Sequence, residues 1–589
     1  MKLKKILAVV LAMALLCMTF AACGDSSSSS SSAASTGSES SATSEAGESS
    51  TADEGGSAAA GEVTLFTPKT VDASKNLNIR IGMEPTGLNS LLSTYANEFT
   101  ILRHIYENLY VLDENNVPQL GAAESVDISD DETVYTFHLR EDGVWTNGDP
   151  VTANDFAFAW QTVLTDTTAS DYAYMLFFIQ NAEAYLNGKC EWEDVGVKVI
   201  DDYTLEVTLT QALPYAEHLF TFGTMAPVNQ SFYEEVGADM YATETEYFCT
   251  NGAYAVTDWS HDSQIVLQKN PSFHGAADLE VEQISYKIIT DPQAALTSYL
   301  SGELDITDLN TGELITQAEN NGAEIFDVAA SSSFYMMVNT ENEYLSNVNL
   351  RRALALGFDK QAMIDTVYQN ANMPMTSFTP PAVFGANESS FQEALNTELG
   401  DLAPANGDVE QAQAYLETAL SELGCTVEDL SAAISIDAGN DSVSLAQASF
   451  YQEQWRQNLG IEVTINPMIT GQGADNRQNG NFTLSITGWS PDYNDPMTFL
   501  DLWVSDGGNN DSRWASEEYD SLIDQATVET DEEARQQLFY QAEQIIFDEY
   551  PIIPCYWRVS SYTYNTDKIL GGFRNTAFQT RYMYIDLAD

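Results

Sequence analysis

The sequence predicts an α/β protein whose folded body is divided into several lobes. Strand patterns and helix patterns are mixed along the whole chain from about residue 77, which favours mixed layers over an all-helical or all-strand fold. The 589 residues are enough for two or three domains, and a hydrophobic fraction of 44% is typical of a globular core. No repeat of fixed period is visible, which excludes a solenoid.

Each element is predicted from its own periodicity. Runs with strand character occur at Leu77–Ile81, Val134–Leu139, Thr204–Leu209, Gln264–Gln268, Phe334–Val338, Val463–Ile465 and Thr483–Thr487. Apolar stripes at helical spacing predict helices at Glu98–Leu109, Ala153–Val163, Pro292–Ser301, Asn349–Tyr368, Val409–Leu423, Ser444–Leu459 and Asp531–Ile546. Thr152 is the predicted N-cap of the second helix.

The first residues have the order of a bacterial lipoprotein signal. Lys2, Lys4 and Lys5 precede the apolar run Ile6–Phe20, which is too short for a comfortable membrane span, and two alanines lead into Cys23. We therefore expect a signal peptide at 1–22 and a lipid on Cys23. An ordinary signal peptide followed by an unmodified cysteine is the alternative.

The segment after Cys23 is predicted to be a flexible tether. From Gly24 to about Glu62 the chain is almost entirely Ser, Ala, Gly, Thr, Glu and Asp, and such a composition cannot bury enough apolar surface to order itself. Residues 23–62 would thus hold the folded body outside the cytoplasm, on the outer face of the bacterial cell membrane.

Charge and cysteine usage exclude several classes of function. The net charge is −65, from 88 acidic and 23 basic residues, which makes nucleic acid an unsuitable partner. Cys190, Cys249, Cys425 and Cys555 show no CxxC spacing, so zinc and thioredoxin-like chemistry have no support. A disulfide among them is left open.

Motifs for catalysis, metals or cofactors are absent from the sequence. We find no GxSxG, HExxH, P-loop or dinucleotide GxGxxG pattern. None of the five histidines has a second one at helical metal spacing, and Asp506–Asp511 lacks the spacing of a calcium loop. We therefore predict no enzyme activity, no metal and no cofactor.

Several segments together resemble the solute-binding proteins of ABC importers, specifically the oligopeptide/dipeptide-binding group. Each segment is a weak match alone, but they occur in the family's order. They are Val134–Arg140, Trp145–Phe156, Asn251–Tyr254, Trp259, Lys269–Pro271, Ser301–Ile306, Asn349–Leu354 with Asp359, Asn372–Pro374, Thr379–Pro381 and Gly488–Pro496.

The resemblance implies a three-lobed, periplasmic-binding-protein-like fold with two hinges. Lobe one would comprise 63–106, 228–331 and 559–589, lobe two 107–227, and lobe three 332–558. A short peptide would bind between lobes one and three of a monomer, which would deliver it to an ABC permease. A binding protein of this fold for a nickel chelate, a sugar or a signalling peptide is one alternative, and a secreted hydrolase is another.

The same resemblance implies the ligand-binding residues. Asp492 would hold the α-ammonium of the peptide, and the main chain of Gly488, Trp489 and Ser490 would pair with it as with an added strand. Alternatively, Trp489 belongs to the core and Asp492 to a turn. Tyr493 is a further expected contact.

Contacts farther from this motif are also implied. An extended segment at Ala96–Glu98 would contribute from the opposite lobe, including Ala96 and Glu98 themselves, and Tyr335 is expected nearby. Arg477 would meet the carboxylate of a short peptide, or else lie on the surface.

The sequence also departs from the family. Some members pair two cysteines near the ligand, where Ser332 and Ser490 stand here. That bridge should therefore be absent. Lysine and histidine positions that serve longer peptides are not recognisable, which leaves the preferred peptide length open.

Overall fold

A computed structural model describes residues 66–469, 471–505, 507–576 and 579–588, without the side chains of 574 and 575. The predicted signal peptide, Cys23 and the tether lie outside the described residues.

The main sheet has eleven strands and carries the predicted binding motif. Numbered along the chain, its strands are β1 (Asn76–Ile81), β8 (Tyr254–Ser260), β9 (Gln264–Lys269), β10 (Gln283–Ile288), β11 (Ile306–Leu309), β12 (Phe326–Val338), β13 (Met373–Pro374), β14 (Ser435–Gly439), β15 (Thr464–Met468), β16 (Leu484–Trp489) and β17 (Ile552–Tyr564). Their order is β15-β14-β16-β12-β17-β11-β1-β10-β9-β8, and β13 pairs with β17.

Strands β12 and β17 connect the two halves of this sheet. Each is 13 residues long, and they pair antiparallel, with register shifts between Val328 and Ser332 and between Phe334 and Tyr335. The predicted lobe boundaries at 331/332 and 558/559 fall inside these two strands.

A separate four-stranded antiparallel sheet lies within residues 107–227. Its strands are β4 (Ala123–Ile128), β5 (Val134–Leu139), β6 (Val197–Asp201) and β7 (Thr204–Thr208), in the order β4-β5-β7-β6. Three two-stranded pairs complete the strands, namely β2 (Tyr110–Leu112) with β3 (Pro118–Leu120), β18 (Ile569–Gly571) with β21 (Asp586–Leu587), and β19 (Arg574–Asn575) with β20 (Thr580–Arg581).

Helices connect these strands. They are α1 (Ala96–Ile105), α2 (Ala153–Val163), α3 (Ala182–Leu186), α4 (Ala216–Leu219), α5 (Gln230–Val236), α6 (Pro292–Leu300), α7 (Gly312–Asn320), α8 (Val348–Leu356), α9 (Lys360–Met363), α10 (Phe391–Leu399), α11 (Val409–Leu423), α12 (Val427–Ala433), α13 (Ser442–Asn458), α14 (Gln472–Gln478), α15 (Met497–Leu500), α16 (Glu517–Val528) and α17 (Glu532–Glu549).

The block around Trp145 has a structural role. The carboxylate of Asp155 accepts hydrogen bonds from the backbone N–H and hydroxyl of Thr152, at 2.8 and 3.1 Å, which caps α2 as predicted. It also accepts one from the indole N–H of Trp145, at 3.1 Å, and Trp145 is buried. This block therefore orders the smaller sheet and its helix.

Several predicted elements differ in their bounds from the structure; the strand expected at Phe334–Val338, for example, begins at Phe326. The helix expected at Glu98–Leu109 is α1, which begins at Ala96 and ends at Ile105, because Tyr106 returns to extended backbone. The helix expected at Asn349–Tyr368 is broken after α8, where Gly357 follows the last turn, and restarts as α9 before a π-helical stretch. The strand expected at Thr483–Thr487 is β16, which begins at Leu484 and continues to Trp489.

Candidate peptide-binding site

Strand β16 has one edge that is only partly paired. Strand β12 covers one side of it along its whole length, whereas β14 reaches the other side only at Leu484 and Ser485. Among the residues that the structure describes, no strand pairs with that second side beyond Ser485. Residues Ile486–Trp489 therefore offer a sheet edge to which an extended chain can be added.

Gly488 presents its main chain to this open edge. The N–H of Asn339 in the chain after β12 donates to the carbonyl of Thr483 at 3.0 Å. Because hydrogen-bonding groups alternate along an antiparallel strand, those of Ile486 and Gly488 point to the opposite side. A Cβ atom at Gly488 would lie 2.8 Å from a ring carbon of Phe334, so glycine is what lets the ring pack there.

Asp492 follows the open edge and lacks a positive partner. Its backbone N–H donates to Thr498 at 3.1 Å, and its carboxylate accepts long hydrogen bonds, 3.4 Å each, from the hydroxyls of Tyr172 and Tyr174. Burial raises the pKa of Asp492 to about 7, although the two tyrosine hydroxyls lower it. No cation in the described part of the chain is paired with this half-buried carboxylate.

Further carboxylates make the surroundings of Asp492 acidic. Asp495 forms a bidentate ion pair with Arg535, at 2.5 and 2.9 Å. Desolvation, together with the charges of Asp492 and Asp495, raises the pKa of Asp501 to about 7. A group with a positive charge would thus be stabilised beside Asp492.

Two aromatic residues of the motif, Tyr493 and Trp489, differ in their contacts. Tyr493 stacks on Tyr215 of the 107–227 region, with ring centroids 5.2 Å apart and planes 3° apart. The guanidinium of Arg535 lies over the ring of Tyr215, at 5.1 Å from its centroid. Trp489 is half-buried, and its indole N–H has no hydrogen-bond partner among the described residues. The indole nitrogen itself is buried, so this donor is unsatisfied in the ligand-free protein.

Comparison with known proteins identifies the family. The family model of bacterial extracellular solute-binding proteins, family 5, matches residues 117–511. The chain belongs to this family. Within it, the resemblance to the oligopeptide- and dipeptide-binding proteins of ABC importers is confirmed, and so is the predicted α/β solute-binding fold.

Individual relatives cover most of this solute-binding protein. It is 32% identical to the oligopeptide-binding protein OppA of Bacillus subtilis over 486 residues, which is 82% of this chain and 87% of the relative. A solved oligopeptide ABC transporter substrate-binding domain of Bacillus anthracis has 30% identity and a TM-score of 0.74, covering 88% of this chain and 100% of that one. Listeria monocytogenes OppA bound to peptide has 29% identity, a TM-score of 0.74 and the same coverage.

Ser332 and Ser490 are neighbours in this solute-binding protein. Their hydroxyl oxygens are 2.8 Å apart. The two positions where a disulfide was expected to be absent are therefore adjacent and held by a hydrogen bond. The four cysteines of the described region are free thiols.

The side chains of Arg477 and Tyr335 have other partners within the protein. The Nε of Arg477 lies 3.7 Å from the carboxylate of Asp511, and both side chains are mostly buried. Tyr335 is 3% exposed and packs edge-on against Phe378 and Trp503, at 5.3 and 5.6 Å. Arg477 is thus already paired with an acid, and the ring of Tyr335 belongs to the core.

The prediction of an extended segment at Ala96–Glu98 is wrong. These residues form the first turn of α1. The carboxylate of Glu98 is buried and accepts hydrogen bonds from Thr86, from its backbone N–H at 3.0 Å and its hydroxyl at 2.7 Å, and from the backbone N–H groups of Thr94 and Tyr95. It therefore caps a helix, and the ligand contact assigned to it has no support from its position.

The tyrosines that reach Asp492 were not predicted from the sequence. Tyr172 and Tyr174 belong to an aromatic-rich run between α2 and α3, and they stack on each other at 5.6 Å. Tyr172 also packs edge-on against Phe99 of α1, at 5.9 Å. The aromatic run was the available signal, but nothing in it indicates a partner far along the chain.

Two further properties of the described residues concern metals and membranes. They contain no group of three or more His, Cys, Asp or Glu side chains placed to hold a metal ion. In the same part of the chain, no helix has the length and apolarity needed to cross a membrane.

Proposed function

We propose that this protein is the substrate-binding component of an ABC importer and captures short peptides. The observation that carries the proposal is the open edge of β16 ending at a half-buried carboxylate without a cation, Asp492. A peptide added to that edge pairs through main-chain groups that all peptides share. Its α-ammonium then supplies the positive charge that Asp492 lacks.

The relatives support a peptide as the ligand. The Bacillus subtilis relative is named an oligopeptide-binding protein, and the Listeria monocytogenes structure holds a peptide. Both cover nearly the whole described body of this chain. On this basis the protein belongs outside the cytoplasm, acts as a monomer and hands its peptide to a permease.

We assign the three lobes to 63–106 with 228–331 and 559–589, to 107–227, and to 332–558. The supporting observation is that β12 and β17 are the strands that continue from one half of the main sheet into the other. Bending of these two strands would open and close the site as a hinge. Peptide contacts on both sides favour the closed form.

The anchor in this proposal is a lipid on Cys23, followed by the tether. The composition of residues 24–62 predicts a flexible chain, and about 39 such residues would have a root-mean-square span of roughly 35 Å, which would let the body reach a nearby permease. The test is the variant Cys23→Ala in a bacterial host. The variant is expected in the culture medium, whereas the unchanged chain stays with the membrane fraction. Membrane retention of the variant would refute the anchor.

Calorimetry on Asp492→Ala tests the peptide site. A tetrapeptide with a free α-amine should lose roughly 2–5 kcal/mol of binding free energy, because one partner of a desolvated charge pair is removed. The N-acetylated tetrapeptide should lose much less. The exposed Asp130→Ala variant is the matched control and should bind as the unchanged protein does. Equal losses for both peptides would refute the role of Asp492.

Native mass spectrometry of the gently purified protein separates peptides from other solutes. A heterogeneous set of retained masses that fragment as short peptides is the expected result. A single retained mass of another chemistry would instead identify a specific solute and refute peptide capture.

A further inference from the structure

A cavity of about 400 Å³ is lined in part by Phe334, whose ring packs against Gly488 of β16. Its lining includes Phe334 of β12, Tyr556 and Arg558 of β17, and Val443 and Ser444 in the first turn of α13. Two of these elements, β12 and β17, are the next two strands beside β16 on its paired side, so the cavity lies close to the binding segment.

Strand register places the cavity on one particular face of the sheet. Residues directly opposite each other on neighbouring strands put their side chains on the same face. Phe334 is opposite Gly488 on one side and Tyr556 on the other, and Ser332 is opposite Arg558. An added strand would direct every second side chain to this face, and its end could turn there as well.

Arg558 is the basic group of the cavity. Its side chain is exposed, and its guanidinium carbon lies 5.8 Å from the ring centroid of Phe334. Phe334 in turn stacks on Tyr556, at 4.9 Å and 6°. The guanidinium of this β17 residue thus lies over a side chain of β12, and it makes no hydrogen bond or ion pair within the described ranges.

The two acids of the cavity have other partners. Asp308 forms an ion pair with Arg80. Asp441 caps α13 and accepts hydrogen bonds from the backbone N–H groups of Val443 and Ser444, each at 3.0 Å. In a chain with 88 acidic and 23 basic residues, Arg558 is thus a basic group of the cavity without an ion-pair partner among the described residues.

We propose that Arg558 binds a carboxylate of the captured peptide in this cavity, either the C-terminal carboxylate or an acidic side chain. Its planar donor pattern matches a carboxylate in two parallel hydrogen bonds. This assignment rests on the proposed function. It differs from the assignment implied by the resemblance, since Arg477 is already paired with Asp511.

The test is calorimetry on the mature chain with two peptide sets. The first set is tetra-alanine as the free acid and as the C-terminal amide. The second set is tetra-alanine amide with Glu or Gln at one position in turn, so that the side chain is the only carboxylate. The variants are Arg558→Gln, which removes the charge, and Arg558→Lys, which keeps it. Arg456→Gln, at the far end of α13, is the matched control.

The unchanged protein should prefer the carboxylate form by about 10- to 100-fold, the range for hydrogen bonds to charged groups. Arg558→Gln should lose that preference, Arg558→Lys should keep part of it, and Arg456→Gln should keep all of it. A preference in the first set identifies the C-terminus as the source, and one in the second set identifies a side chain.

Two results would overturn the proposal. If Arg558→Gln binds acid and neutral peptides with the same ratio as the unchanged protein, Arg558 has no such role, while peptide capture at Asp492 stands. If the unchanged protein binds no peptide of either set, peptide capture itself fails, and the role of Arg558 fails with it.

Discussion

Peptide affinity should fall steeply as the pH drops below 7. In the ligand-free protein the pKa of Asp492 is about 7, well above its ordinary value of 3.8, chiefly because of burial. Only the ionised form can pair with an ammonium group, so binding at acidic pH must first remove a proton. The loss therefore grows as pH decreases, which is the direction expected for an acid with a raised pKa.

The magnitude follows from the ionised fraction. With a pKa of about 7, roughly 90% of Asp492 is ionised at pH 8 and roughly 1% at pH 5. The peptide's own α-amine, with a pKa of roughly 7.7–8.0, keeps its proton at pH 5 and has lost about half of it at pH 8, so affinity should fall about 40-fold from pH 8 to pH 5, or about 2.2 kcal/mol. Affinity should thus be greatest between about pH 7 and 8.

Calorimetry from pH 5 to pH 9, in buffers of different ionisation enthalpy, measures both effects. Near pH 6, binding should release about 0.9 proton per peptide from Asp492. The Asp492→Asn variant and the N-acetylated peptide are controls and should show no acidic fall of this size. The variant Asp501→Asn isolates the neighbouring acid, whose pKa is also about 7. An affinity that stays constant from pH 5 to pH 8 would refute the role of Asp492.

Two further predictions concern stability, measured by urea unfolding. Gly488→Ala should cost about 1–3 kcal/mol, because its Cβ would lie 2.8 Å from the Phe334 ring, whereas Gly87→Ala, with no atom within 4 Å, should stay within about 0.5 kcal/mol. Equal effects would contradict the close packing. Arg535→Met should cost about 3–5 kcal/mol, since it leaves the buried Asp495 carboxylate unpaired, and neutralising Asp495 as well should recover part of the loss. No recovery in the double variant would contradict this account.

Local signals explain how far the fold could be predicted. The bounds of α2 were predicted as the structure has them, because Thr152 and its helix lie within one stretch of sequence. The continuous helix expected at Asn349–Tyr368 failed for an equally local reason. Gly357 ends α8, and the side chain of Asp359 accepts from the N–H of Ala362 to begin α9. A glycine and an N-cap residue inside an apolar stripe should have predicted two helices.

The site was predictable only where its residues are close in sequence. Gly488 and Asp492 are four positions apart, and a motif can contain both. Tyr172 and Tyr174 lie about 320 positions from Asp492, and their contact depends on how separate sheets meet, which no local pattern contains. The pairing of Arg477 with Asp511 is similarly a product of folding rather than of the motif.

The open edge of β16 also bears on solubility. An unpaired edge with exposed backbone groups is a template for edge-to-edge association between copies of a protein. Here the edge ends at Asp492, whose carboxylate accepts hydrogen bonds from Tyr172 and Tyr174. A peptide bound along the edge would occupy the unpaired backbone groups, so a loaded molecule should associate with its neighbours less readily than an empty one.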